Sequence, residues 1–595
     1  MGRIYNEILM KFLGNLLAAI LGCLIAFGVL FGMFLIFIAL VSSGDDTKTV
    51  KSNSVLEIQL QNPIEDFVGG DRSDPFAGLF QQSQGLDEIL HAIAVAKTDD
   101  KIKGISINNN FIIAGLSQAQ AIRGALQDFK ESGKFIYAYA DIYTQKDFYL
   151  SSVADSLFLN EVGILDFKGL SSEVLFYKDL QEKSGVKMEV IRHGKYKSAV
   201  EPYLSNEMSE ANRTQIKELL SSLWNSMIAE VAVSRKLSVE NLNSIADTLG
   251  GRSPKLAQKS NLIDDVLFFD EYETKLKNAL KVSLKDEINY ITLKDYIPSA
   301  KKKVLLKGDD KIAVIYAQGE IFYGEGGPNI IGQGIINSSL IKAREDENVK
   351  AIVLRVNSPG GSALTSDIIW RELELTKAIK PVIVSMGDVA ASGGYYIAAG
   401  ADKIFAEPTT ITGSIGVFGI IPNASVLAER IGINAEQVGT NKNAVDYSLF
   451  EPMSDVFRNT VQEGVEHTYT TFLSRVAQGR KMTVAEVDSI AQGRVWSGVD
   501  AKSLGLIDEI GGLDDAIKAA AELVGLKKYG INNYPKYKSG FERFMEDFGG
   551  ARSKLKQDFI KEEIGDETYL ILKEVKLAMK QQGVQARMPF ILSIK

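Results

Sequence analysis

One cysteine, three histidines and no surplus of positive charge are what this chain of 595 residues has to offer several common chemistries. A lone thiol, Cys23, excludes a disulfide framework or a cysteine metal site within one chain. His91, His193 and His467 are widely separated, and none falls in a metal-ligand spacing such as H-E-x-x-H, which disfavours a catalytic metal. Lys and Arg number 67 against 75 Asp and Glu, a net charge of −8. That balance argues against a phosphate-binding surface, so nucleic acid is not expected as a partner. No cofactor is called for.

A long apolar run is present. No charged residue occurs from Phe12 to Gly44, and Leu16 to Val41 is almost wholly apolar. This exceeds the roughly 20 residues that cross a bilayer and the roughly 7 to 15 of a signal-peptide core, so an uncleaved anchor in contact with lipid through residues 12–44 is expected. Arg3 and Lys11 precede the run while Asp45 and Asp46 follow it, which puts the N-terminus in the cytoplasm and the rest outside. No later segment is long and apolar enough to return.

The exported part compares well with itself. KGISINNNFIIAG at 103 lies under KAIVLRVNSPGGS at 350, and KFIYAYADIYTQKDF at 134 under PVIVSMGDVAASGGY at 381, both 247 positions apart without a gap. Farther on, RKLSVENLNSIA at 235 pairs with RKMTVAEVDSIA at 480, 245 positions apart. Strand patterns alternate with helical ones in each copy, as in a mainly parallel sheet covered by helices. The expected division is an anchor at 1–44, repeats at 45–300 and 301–530, and an extension for packing or assembly at 531–595.

Only the second copy carries candidate chemistry. In GDVAASGGYYIAAGA an apolar strand ends at Asp388, and Ser392 sits on a tight turn into a helix, with Gly393 and Gly394 leaving their amides approachable. About thirty residues upstream, Pro359, Gly360 and Gly361 break a second strand where another amide can be presented. Two glycine amides flanking one serine make a plausible oxyanion hole. The corresponding residues of the first copy are Gln145, Lys146 and Asp147, with Ile113 and Ala114 in place of Gly360 and Gly361. A serine hydroxyl needs a base. His193 is the least implausible histidine for a Ser/His/Asp triad. Lys195 and Lys197 in VIRHGKYKSAVEPYL are the lysine candidates if burial lowers a pKa, and by spacing alone they read equally as a solvated pair on a loop.

GKYKSAVEP, NSPGGS, ASGGYYIA and TGSIGVFG, in this order in a duplicated chain behind an apolar anchor, resemble the signal peptide peptidase A family (peptidase S49) in its long, double-domain form. The resemblance implies two tandem α/β repeats of the Clp protease/crotonase-like fold behind a transmembrane helix. It implies a Ser/Lys protease in which Ser392 is the nucleophile, Lys197 the general base and Ser414 a hydrogen-bond partner of the lysine amine, with the Gly393 and Gly361 amides holding the oxyanion. Lys442, set over Lys197 by the repeat, is a rival base because half-length relatives keep both groups in one copy. The implied substrates are remnant signal peptides and other extended hydrophobic peptides. The implied assembly is a homotetrameric ring at a bacterial inner membrane, its catalytic part facing the periplasm. A catalytically inert membrane scaffold and a crotonase-like acyl-CoA enzyme are the alternatives. The latter would need carboxylate acid/base groups and no anchor.

Overall fold

The computed structural model describes residues 2–42, 48–69, 83–303, 306–444, 447–537 and 585–588. The chain divides into two compact units, with the N-terminal helix in one and both repeats in the other. The helix runs Gly2–Ser42, and within it Gly14–Met33 is long and apolar enough to cross a membrane.

Each repeat is built on a sheet whose strands are apolar along nearly their whole length, the pattern of strands covered on both faces. The first sheet has the order Asp265–Val266, Ser156–Leu165, Phe135–Tyr143, Ile102–Asn108, Ser54–Ile58, Asn289–Thr292, every pairing parallel. The second repeats it with Lys403–Ala406 and Ile411–Gly413 beside Val382–Ala391, then Val349–Ser358, Lys311–Gln318 and Gly530–Tyr534. The single strand Ser156–Leu165 thus corresponds to two shorter strands in the second copy. The interruption is the loop 407–410, in which Thr409 and Thr410 are buried. The antiparallel strand Val495–Ser497 extends the second sheet by pairing with Ile411–Gly413.

The longest helices match in the same way. Glu210–Arg235 and Asp455–Arg480 are each 26 residues long, begin on a serine whose side chain accepts an amide of the first turn (Ser209, Ser454), and end on a left-handed lysine (Lys236, Lys481). Each repeat has one large apolar cluster and a smaller one, the large cluster including Leu56, Ile105 and Phe148 in the first and Leu354, Val384 and Tyr395 in the second. Between the repeats, Arg355 Nε donates to Asp66 Oδ2 at 2.7 Å, and both side chains are almost wholly buried.

A third sheet joins the two copies. Its order is Ile330–Ile331, Glu320–Ile321, Gly360–Ser362, Gln585–Arg587, Val417–Asn423, Lys187–His193. Lys187–His193 belongs to the first copy and pairs antiparallel with Val417–Asn423 of the second, His193 opposite Val417. Ile191 on this strand lies in the apolar cluster of the second copy. The repeat-equivalent stretches, residues 170–176 and 434–440, form no strand. Two sequence expectations change here. The strand read as ending at Asp388 continues to Ala391, because Val389–Ala391 finds a parallel partner in Ile411–Gly413. The second sheet also runs past residue 530, through Gly530–Tyr534, into the segment read as an extension. Most of that segment, 538–584 and 589–595, lies outside the described residues.

Candidate active site

Ser392 follows the strand Val382–Ala391 directly and caps the helix Gly393–Ala398. Its backbone is strained, with φ 54° and ψ −114°, a conformation that costs on the order of 1–3 kcal/mol and persists only when surroundings enforce it. The enforcing contact is the Ser392 N–H, which donates to Gly413 O at 2.8 Å. The strand-to-helix turn thereby aims the hydroxyl away from both elements.

Lys197 reaches this hydroxyl from the other repeat. Lys187–His193 is fixed against Val417–Asn423, Gly194 turns the chain with φ 104°, and the Tyr196 N–H donates to Gln492 O at 2.8 Å. The next residue is Lys197, whose amine lies 2.9 Å from Ser392 Oγ, 2.9 Å from Ser414 Oγ and 3.0 Å from Ser414 O. Gly493 makes room for it: φ is 81°, and a Cβ built there would stand 2.7 Å from Lys197 Cβ. The Phe418 ring closes the pocket, its centroid 5.9 Å from the amine.

Lys197, Ser392 and Ser414 are all 0 % exposed. Among the described residues the amine's hydrogen-bond partners are these three oxygens, none of them a carboxylate. Burial alone pushes the Lys197 amine far below the usual lysine range, since an ammonium would lose its hydration without gaining an opposite charge. A neutral amine has two N–H donors and one lone pair. The Ser414 carbonyl can only accept, and if Ser414 Oγ takes the second N–H, the lone pair is left for the proton on Ser392 Oγ.

The other base candidates stand elsewhere. Lys195 is exposed, its amine over the Tyr196 ring. Lys442 is exposed in a turn. His193 stacks on Tyr469 at 3.9 Å and places Nδ1 2.7 Å from Glu466. Gly393 opens the helix after Ser392, and Gly361 lies on the short strand Gly360–Ser362 with φ 151°. Substituting either glycine is obstructed: a Cβ on Gly393 would stand 2.7 Å from Ser366 Oγ, and one on Gly361 would strike the Ile321 backbone.

The sequence reading passed over Gly493, Gln492 and Phe418, which shape the lysine pocket. Gly493 in IAQGRVW is the available signal, a glycine in the turn between a helix and a strand, closed by the Arg494 N–H donating to Ala491 O at 2.9 Å.

Comparison with known proteins agrees with this architecture. Residues 128–283 and 374–527 match Peptidase family S49, one match per repeat, and residues 305–412 match the Clp protease family. Protease 4 of Haemophilus influenzae is 39% identical over 451 residues, covering 74% of this chain and 73% of that protein. A chloroplastic serine protease SPPA of Arabidopsis thaliana is 34% identical over 479 residues, 80% of this chain and 69% of that one. A putative signal peptide peptidase SppA of Enterococcus faecium is 36% identical over 208 residues, 34% of this chain and 60% of that protein. Fold and relatives together define a serine-type peptidase with Clp protease-like α/β repeats. The chain belongs to peptidase family S49, in tandem-repeat form.

Proposed function

We propose that this peptidase is membrane-anchored and degrades cleaved signal peptides with a Ser392/Lys197 dyad assembled from both repeats. The observation that carries the proposal is the buried Lys197 amine 2.9 Å from Ser392 Oγ, without a carboxylate partner. Neutral Lys197 takes the hydroxyl proton as Oγ attacks a peptide carbonyl, and the Gly393 and Gly361 amides hold the developing oxyanion. The lysine then gives its proton to the leaving amine. Water hydrolyses the acyl-enzyme, with the lysine again as base. Ser414 orients the amine through both of its oxygens.

The substrate binds as an extended strand between Gly360–Ser362 and Val417–Asn423, the mode in which main-chain bonds give affinity and alternate side chains give specificity. Anchorage by Gly14–Met33 brings the site to hydrophobic peptides that start in a bilayer, and the relative from Enterococcus faecium bears a name with that substrate in it. The periplasmic orientation at a bacterial inner membrane and a ring of four chains belong to the same reading.

Digestion of a synthetic signal peptide tests it. Wild type should cleave, Lys197→Ala should not although it folds, and Lys442→Ala should cleave as wild type does. Full activity in Lys197→Ala with loss in Lys442→Ala reverses the assignment of the base.

A further inference from the structure

Lys197 is placed by two turns, its own and the one packed against it. The strand Lys187–His193 runs into Gly194, Lys195 and Tyr196, and the Tyr196 N–H pins this turn to Gln492 O. The partner turn, Gln492–Arg494, is tied to the serine side as well. The Gly493 N–H donates to Ile415 O at 2.8 Å, and Arg494 O accepts from the Ser414 N–H at 2.6 Å. This turn therefore sets where Lys197 stands relative to Ser414.

It does not support itself. Gln492 has φ 53°, a left-handed conformation that a residue with a side chain rarely holds without outside contacts. Tyr469 and Asp488 supply them. The buried Tyr469 hydroxyl accepts from the Gln492 N–H at 3.3 Å and donates to Asp488 Oδ1 at 2.5 Å, and the same Oδ1 accepts from Gln492 Nε2 at 2.6 Å. Backbone and side chain of Gln492 are thus held by one closed ring of hydrogen bonds. Burial and the Asp488 carboxylate push the Tyr469 phenol above its ordinary range, so it remains a donor at neutral and mildly alkaline pH. The Tyr469 ring also stacks on His193 at 3.9 Å. A single side chain braces both the entry to the lysine turn and the turn that pins it.

The first repeat shows what is particular to this arrangement. At the 245-residue displacement Trp224 answers Tyr469 and Asn243 answers Asp488, and Trp224 Nε1 donates to Asn243 Oδ1 at 2.8 Å. The pair of aromatic donor and acceptor is kept. An indole N–H only donates, however, so Trp224 has no atom with which to take a backbone amide as the Tyr469 hydroxyl does. That second bond belongs to the repeat that holds the serine.

We infer that Tyr469 and Asp488 are positioning residues of the peptidase, which hold Gln492 in its left-handed turn and through it keep the Lys197 amine dry and within reach of Ser392. The inference rests on the Ser/Lys reading above. Without the two side chains the turn relaxes, water reaches the amine, and the Lys197 pKa climbs back towards the ordinary lysine range.

Hydrolysis of a synthetic signal peptide by the full-length protein in detergent, followed across pH and beside thermal melts, tests this. Tyr469→Phe removes one oxygen and leaves the ring. It should lower kcat by about 10- to 100-fold with little change in KM, and move the midpoint of the rising limb of kcat to higher pH. Asp488→Ala should do the same. Adding Gln492→Gly to Tyr469→Phe should restore most of the rate and return the midpoint, because glycine takes the left-handed conformation unaided. Wild-type kcat and midpoint in both single variants overturn the positioning role. A loss of rate with an unmoved midpoint, not restored by Gln492→Gly, also overturns it and makes the two residues general supports of the fold. In either case an inactive Lys197→Met leaves the dyad standing, whereas an active Lys197→Met overturns the dyad and this inference with it.

Discussion

Where the second repeat holds Ser392, the first holds Gln145, and the two side chains are used in opposite ways. Gln145 is bound to backbone at both ends: Nε2 donates to Gly169 O at 3.0 Å, and Oε1 accepts from the N–H groups of Lys168 and Gly169 at 3.0 and 2.9 Å. Ser392 Oγ instead faces the buried amine. The differences continue around the two sites. Phe167 stands at the repeat position of Ser414 and packs on Phe148 and Trp224, with ring centroids 5.4 and 5.3 Å away. Lys146, at the place of Gly393, donates to the carbonyl of Ala114, at the place of Gly361. The first copy has thus filled its serine pocket, lysine pocket and oxyanion turn with side chains that stabilise the fold, while keeping the same sheet. In the proposed mechanism the first copy serves as scaffold and delivers Lys197 to the second.

The strongest way to break this comparison is to exchange the roles of the matched residues. Ser392→Ala should lower kcat for peptide hydrolysis by about 10⁴-fold or more. Gln145→Ala should leave kcat unchanged and cost about 0.5–1.5 kcal/mol in denaturant melts, because the partly exposed amides of Lys168 and Gly169 lose their acceptor.

Lys197→Met should be as inactive as the serine variant while Lys442→Met is not. It should also change the pH dependence of stability. The folded-state pKa of Lys197 lies below its unfolded value of about 10.4, so between those two values the unfolded chain binds the extra proton. Stability contributed by this group therefore rises with pH across that window and is lost as pH falls through the folded value. Melts of wild type against Lys197→Met should show that slope only in the former.

Phe167→Ser, which puts the second repeat's side chain into the first, should confer no activity and cost about 3–5 kcal/mol from the emptied aromatic pocket. Ser414→Ala is the mildest change: with the Ser414 carbonyl still holding the amine, kcat should fall about tenfold, about 1.4 kcal/mol, with little change in KM.

The duplicated frame was legible in the sequence because apolar strands and long helices leave local patterns that recur at a fixed shift. Ser392 and its glycines were legible for the same reason, as a turn between two patterned elements. Lys197 was not legible from spacing: its burial depends on Lys187–His193 pairing with Val417–Asn423 of the other repeat, a contact with no local signature. The resemblance named it, and geometry supplies the physical cause of its lowered pKa. Strand Gln585–Arg587 is three residues long, too short for any periodicity to register. Val389–Ala391 were misread as turn because their extended conformation comes from a partner about twenty residues on, not from their own sequence.

The central claim is that a neutral lysine of the first repeat activates a serine of the second. The most direct measurement is the rate at which a fluorophosphonate labels Ser392 as a function of pH, in wild type, Lys197→Met and Lys442→Met. The account predicts a rate that rises with pH to a plateau, half-maximal well below 10.5, unchanged in Lys442→Met and abolished in Lys197→Met. Labelling that persists in Lys197→Met, or that is half-maximal near the ordinary lysine value, would contradict it.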